Sequence, residues 1–142
     1  MLDSFINEFN VGDKVPPNQY SPLVLAYIGD CVFDMIVRTL VVEDGQKAAN
    51  SLHKHTTKIV NAATQAALIM SVHDDILTEE EQDIFRRGRN AKSFTKAKNQ
   101  SVSDYRKATG FEALCGYLYL KQEMPRLLEI IRIGFERIGV EV

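Results

Sequence analysis

The chain has 142 residues, 45% of them apolar and 25% charged; that composition fits one soluble globular domain able to bury a core and excludes a disordered chain. A net charge of −2 argues against indiscriminate binding to polyanions. Met1-Leu-Asp-Ser-Phe lacks the basic, apolar start of a signal peptide, and the longest apolar stretch is broken by Asp30, Asp34 and Arg38, so no membrane span is expected.

The whole chain reads as helical, with no period-2 alternation. A short amphipathic helix over residues 3–9 leads into a loop containing Gly12, Pro16 and Pro17. Ser21 and Pro22 then make a helix start, serine as N-cap and proline at the first helical position, and this helix runs to about Val42 and stops near Gly45. A second long helix, from about Gln46 to Val72, carries apolar residues at Leu52, Ile59, Ala63, Ala66, Ala67 and Met70. Thr78 and Glu81 have the capping-box spacing and open a third helix through about Gly88. Ser103-Asp104 caps a fourth, ending at Leu120 or Lys121, and Pro125 begins a fifth over residues 126–137. Residues 89–102 read as a mobile loop, and there is no repeat or interdomain linker. Cys31 and Cys115 both fall in apolar helices and read as reduced core thiols of a cytoplasmic protein. No zinc site is expected, because His53, His55 and His73 have no cysteine partners.

Two isolated carboxylates carry the most chemical information. Asp30 is the only charged residue between Lys14 and Asp34, and Glu112 the only one between Lys107 and Lys121. An ionised carboxylate withdrawn from water is costly unless a cation or a set of donors compensates it. Two such groups on helices that pack together would suit a hard divalent cation. Gly29, directly before Asp30, costs a helix about 1 kcal/mol relative to alanine and so signals close approach by another backbone. Helical spacing surrounds Glu112 with Ala108, Thr109, Cys115 and Gly116, a face of small side chains that admits a neighbouring helix. A plainer reading makes Asp30 part of a solvated edge beside an Asp34–Arg38 pair and has an arginine or a tyrosine hydroxyl satisfy Glu112.

From Ile84 to Ser103 the chain holds six cationic residues, Arg86, Arg87, Arg89, Lys92, Lys96 and Lys98, and no acidic one. Interleaved with short polar residues such as Asn90, they suit a phosphate backbone better than a merely solvated loop. Lys54 and Lys58, with Asn61 and Gln65, either extend that surface or form an ordinary exposed helix face.

Leu25-Ala-Tyr-Ile-Gly-Asp-Cys-Val-Phe33 resembles the signature helix of ribonuclease III catalytic domains, usually Leu-Glu-Phe-Leu-Gly-Asp-Ala-Val-Leu. Thr109-Gly-Phe-Glu-Ala-Leu-Cys-Gly-Tyr-Leu-Tyr119 resembles their second acidic motif, Asp-x-Phe-Glu-Ala-Leu-Ile-Gly-Ala-x-Tyr. The short length and the run Arg86-Arg-Gly-Arg-Asn-Ala-Lys-Ser93 resemble more narrowly the Mini-ribonuclease III branch, which has a catalytic domain and no double-stranded-RNA-binding domain. The resemblance implies an all-α, ribonuclease III endonuclease-domain-like helical bundle that spans residues 1–142 as one domain and forms a homodimer. It implies Asp30 and Glu112 as catalytic, Mg2+-binding carboxylates. The implied activity is cleavage of double-stranded RNA to 5′-phosphate and 3′-hydroxyl ends, in maturation of the large-subunit (23S) ribosomal RNA precursor. Arg86, Arg87, Arg89, Asn90, Lys92, Lys96 and Lys98 are then the RNA-binding set. Two positions depart from the larger enzymes, which carry glutamate where this chain has Ala26 and aspartate where it has Thr109; the Mini-ribonuclease III branch is similar in this respect. A non-catalytic RNA-binding protein of the same fold, or a helical scaffold, are the alternatives.

Overall fold

A computed structural model describes residues 2–10, 15–45, 48–92 and 101–142. Gly12, the Gln46 helix start, and Lys96 and Lys98 lie outside the described residues. The described chain is all-α: α1 (Leu2–Phe9), a single 3-10 turn (Pro17–Gln19), α2 (Pro22–Glu43), α3 (Ala49–Ile59), α4 (Ala62–Val72), α5 (Glu79–Asn90), α6 (Val102–Leu120) and α7 (Met124–Ile138). None of these helices is long and apolar enough to cross a membrane.

Local chemistry sets most boundaries. The Ser21 hydroxyl accepts from the Val24 N–H at 3.2 Å, with Pro22 in the first turn of α2. Thr78 and Glu81 close the reciprocal capping box of α5 at 3.1 and 2.8 Å. That helix continues to Asn90, two residues past the expected end. The cap of α6 is Ser101 rather than Ser103; its hydroxyl accepts from the Asp104 N–H at 3.0 Å, which leaves the Asp104 charge in the first turn, where the helix dipole favours it.

The expected second long helix is two helices. Asn61 adopts φ −150°, ψ 162° and its Oδ1 accepts from the Thr64 N–H at 2.9 Å, capping α4. Its Nδ2 donates to the carbonyls of Thr57 and Lys58 at 3.1 and 2.9 Å, closing the end of α3. One side chain thus competes with the helical ladder from both directions. The break also changes which face of α4 turns inward: Ala62, Gln65, Ala66, Leu68, Ile69 and Val72 are buried, while Ala63, Ala67 and Met70 face out.

Helix α6 is the centre of the bundle. Every residue from Ala108 to Tyr119 is buried except Glu112, which is half-buried. An all-round apolar helix is stable only if others enclose it, and α2, α4, α5 and α7 do so. Glycines let two of them come very close. A Cβ on Gly29 would lie 1.7 Å from the Glu112 carbonyl oxygen, and one on Gly116 would lie 2.0 Å from that of Leu25, so α2 and α6 touch backbone to backbone. On the other side Gly88 of α5 lies against Gly110 and Ala113. Beyond the crossing, Phe33 stacks edge-on against Phe111 with centroids 4.9 Å apart. Arg126 of α7 ties the bundle together, reaching Glu81 of α5 and the Ile76 carbonyl, each at 2.8 Å.

Cys115 is buried as expected, but Cys31 is exposed, because it follows Asp30 on the outward side of α2. The Asp34–Arg38 pair forms at 2.9 Å on that same helix.

Replacing glycine by alanine in a helix gains about 1 kcal/mol of propensity, which a forced backbone separation outweighs. Gly29→Ala and Gly116→Ala are therefore expected to lose about 3 kcal/mol or more in urea unfolding. Gly134→Ala, whose Cβ would meet the side chain of Leu68 rather than backbone, is expected to lose about 1 kcal/mol. Equal losses at all three positions would contradict the backbone-contact account.

Candidate active site

The α2–α6 contact fixes where the two acids emerge. Asp30 follows the glycine whose missing side chain admits α6, and Glu112 is the residue whose carbonyl fills that space. Both side chains line one cavity of about 570 Å³, shared with Ala26, Tyr27, Tyr105 and Thr109. The two positions at which the larger ribonuclease III enzymes carry further carboxylates, Ala26 and Thr109, thus face the same space. The Thr109 hydroxyl donates to the Tyr105 carbonyl at 3.0 Å. A second cavity of similar size, about 580 Å³, lies between α2 and α7, but Met35, Leu40, Leu128 and Phe135 line it and its charged side chains, Arg132 and Glu136, pair with each other at 3.1 Å. The two isolated carboxyls share the first.

Asp30 is exposed and Glu112 half-buried, with their carboxyls within hydrogen-bonding reach. Burial, and then the neighbouring Asp30, push the Glu112 carboxyl up to about 8, against the opposing pull of the Gln65 amide. None of the ion pairs among the described residues includes Asp30 or Glu112, so an arginine does not satisfy Glu112 there. Two carboxyls held within hydrogen-bonding reach of each other repel when both are ionised, and a divalent ion relieves that repulsion. Among the described residues no group of three or more His, Cys, Asp or Glu side chains converges. A hard ion held by this pair would keep several waters, as Mg2+ tends to do, and the cavity has room for them.

The basic segment is only partly free. Arg86 is exposed and hydrogen-bonds to Asp83. Arg87 donates to the carbonyls of Asn18 and Tyr20 at 3.1 and 3.4 Å, tethering the turn that precedes α2. Arg89 lies over the Phe85 ring at 5.6 Å and donates to Asn90 Oδ1 at 3.3 Å. Asn90 and Lys92 are exposed at the end of α5, as are Lys54 and Lys58 on α3. The surface reading of Asn61 and Gln65 does not hold: Asn61 is spent on two helix ends, and Gln65 is 4% exposed, turned inward by the break before α4. The overlooked signal was Asn61, an N-cap residue set in an apolar run.

A sequence profile of the Ribonuclease III domain family matches residues 23–123. The Mini-ribonuclease 3 of Thermoanaerobacter sp. is 50% identical over 116 residues, 82% of this chain and 81% of its own. That of Enterococcus faecalis is 45% identical over 122 residues, 85% of this chain and 92% of its own. A crystal structure of a protein from Fusobacterium nucleatum superposes with a TM-score of 0.74 at 30% identity, over 83% of this chain and 93% of that one.

The raised Glu112 pKa has a measurable consequence in the metal-free protein. The folded chain keeps the proton up to about pH 8, whereas the unfolded chain releases it near 4.5. Stability from this group is thus complete below pH 4.5 and lost as pH rises through 8. In EDTA, urea unfolding is expected to show a fall on the order of 2–4 kcal/mol between pH 5 and 9. Glu112→Gln should flatten that slope; a slope unchanged by the substitution would place its origin elsewhere.

Proposed function

The chain belongs to the ribonuclease III family and is an endoribonuclease, and within that activity we propose that it hydrolyses double-stranded RNA with Mg2+ held by Asp30 and Glu112. The observation that carries the reading is the meeting of these two carboxyls in one open cavity, where burial and then the neighbouring Asp30 raise the pKa of Glu112 to about 8. When bound, Mg2+ lowers the pKa of a coordinated water and offsets negative charge at the phosphorus. The remaining work falls to the chain. Asp30 and Glu112, whose backbones the Gly29–Gly116 contact fixes and whose side chains line the cavity, would hold the ion between them. Arg86, Arg89, Asn90, Lys92, Lys96 and Lys98 bind the duplex by its phosphates, while Arg87 is spent on the Asn18 and Tyr20 carbonyls. Because A-form RNA is read mainly by shape, phosphates and 2′-hydroxyls, little base discrimination is expected from such side chains. On this reading the products are 5′-phosphate and 3′-hydroxyl ends, and the substrate is the 23S ribosomal RNA precursor in the cytoplasm; the relatives' name, Mini-ribonuclease 3, supports the ribonuclease activity itself.

Two copies pair, one site each. Support comes from the outward side of α2, where Leu23, Val24 and Tyr27 are 40%, 48% and 81% exposed beside Asp30, a row of apolar side chains a free monomer has little reason to present. Sedimentation equilibrium is expected to return a dimer for the unmodified chain and a monomer for Tyr27→Arg; a monomer in both would refute the pairing.

Duplex RNA incubated with the protein should be cut only when Mg2+ is present. Asp30→Asn and Glu112→Gln should each slow cutting by about 100-fold or more while still binding RNA. Exchanging Arg86 and Lys92 for glutamine should instead weaken binding and flatten its salt dependence by about one unit of slope per lost phosphate contact. Binding without cutting in every sample would favour a non-catalytic RNA-binding protein.

A further inference from the structure

Gln65 stands out among the side chains that no helix cap, ion pair or packing need explains. It lies on the buried face of α4 between Ala62, Ala66 and Ile69, where a chain chosen for packing alone would carry leucine or methionine. At 4% exposure its amide has lost water, and Nε2 is the one buried side-chain nitrogen or oxygen among the described residues without a hydrogen-bond partner. A buried donor left in that state is destabilising, and such an atom calls for a functional explanation. Helix α4 packs directly on α6, and the polar group that the Gln65 amide faces is the carboxyl of Glu112. Glu112 therefore sits between two neighbours, Asp30 toward the cavity and Gln65 from beneath.

We infer that Gln65 is a positioning residue for the metal site, its amide N–H donating to one carboxylate oxygen of Glu112 so that the other is held toward Asp30 and the cavity. The buried, unpartnered Nε2 is the donor available to that carboxylate oxygen. Residues behind a metal-binding carboxylate commonly act in this way, and their loss weakens metal affinity by about 10–100-fold. The inference rests on the proposed metal-binding role of Asp30 and Glu112.

The test uses the full chain with Gln65→Met, which keeps the volume and removes the donor, and Gln65→Leu as a second variant in case one fails to fold. Mg2+ chloride is titrated calorimetrically into each variant, into the unmodified chain and into Asp30→Asn. Thermal unfolding in EDTA is recorded alongside, with cleavage of duplex RNA across a Mg2+ series. The expected result is a melting temperature in EDTA equal to or above that of the unmodified chain, Mg2+ affinity about 10–100-fold weaker, and cleavage restored at high Mg2+. Unchanged Mg2+ affinity in both variants, with the unmodified chain binding and Asp30→Asn not, would refute the role of Gln65 and leave the metal reading standing. A lower melting temperature in EDTA without an affinity change would make Gln65 structural and also refute it. Mg2+ binding that Asp30→Asn does not alter would overturn the metal reading itself, and this inference with it.

Discussion

The backbone contact between α2 and α6 is the constraint on which the rest of the structure depends. Helices that meet through side chains lie about 8–10 Å apart; at Gly29 and Gly116 nothing separates them but main-chain atoms. That contact holds the register of the two helices, with Gly29 seated over the Glu112 carbonyl and Gly116 over that of Leu25. A second glycine contact, Gly88 against Gly110, fixes α5 on another side of α6. The most deeply buried helix is thus positioned by atoms that cannot change rotamer. The acids and the basic end of α5 inherit that precision.

The same contact imposes an electrostatic cost. Asp30 and Glu112 are neighbours in space because Gly29 adjoins one and receives the carbonyl of the other, so the fold cannot form without bringing two carboxyls together. Retaining a proton on Glu112 is how the metal-free chain lowers that repulsion. A cation that binds the folded state and not the unfolded one would remove the penalty and stabilise the fold by mass action. The arrangement is suited to ligand capture rather than to rigidity for its own sake. Stability is supplied elsewhere, by the Phe33–Phe111 stacking and by the Arg126 links from α7 to Glu81 and Ile76.

Much of this was legible in the sequence, and the legible parts share a local cause. Ser21-Pro22, the Thr78–Glu81 box and Pro125 carry their own stereochemistry, so the starts of α2, α5 and α7 could be read directly. The small residues around Glu112 marked a face open to a neighbouring helix, and Gly29 inside a helix marked a close crossing; that the helix of residues 102–120 is the centre of the bundle was not read from the sequence. What could not be read depended on partners distant in the chain. Asn61 is compatible with a helix interior or a cap, and the packing of α4 on α6 and α7 selects the cap. The resulting change of face turned Gln65 inward and Met70 outward, the reverse of a continuous helix. Cys31 looked like core because its neighbours are apolar, yet it lies on the side of α2 that α6 leaves uncovered. Arg87 belonged to a basic run by composition, while the structure directs its guanidinium to the carbonyls of Asn18 and Tyr20.

The central claim is that the glycine-mediated crossing brings Asp30 and Glu112 together to hold a divalent cation. Crystals soaked in MnCl2, measured for anomalous scattering from manganese, test it most directly. The account predicts a peak in the cavity beside α2 and α6, with an oxygen of each carboxylate at about 2.1–2.3 Å and waters completing the shell. A cavity empty of manganese, or carboxylates turned away from a metal bound elsewhere on the surface, would contradict it.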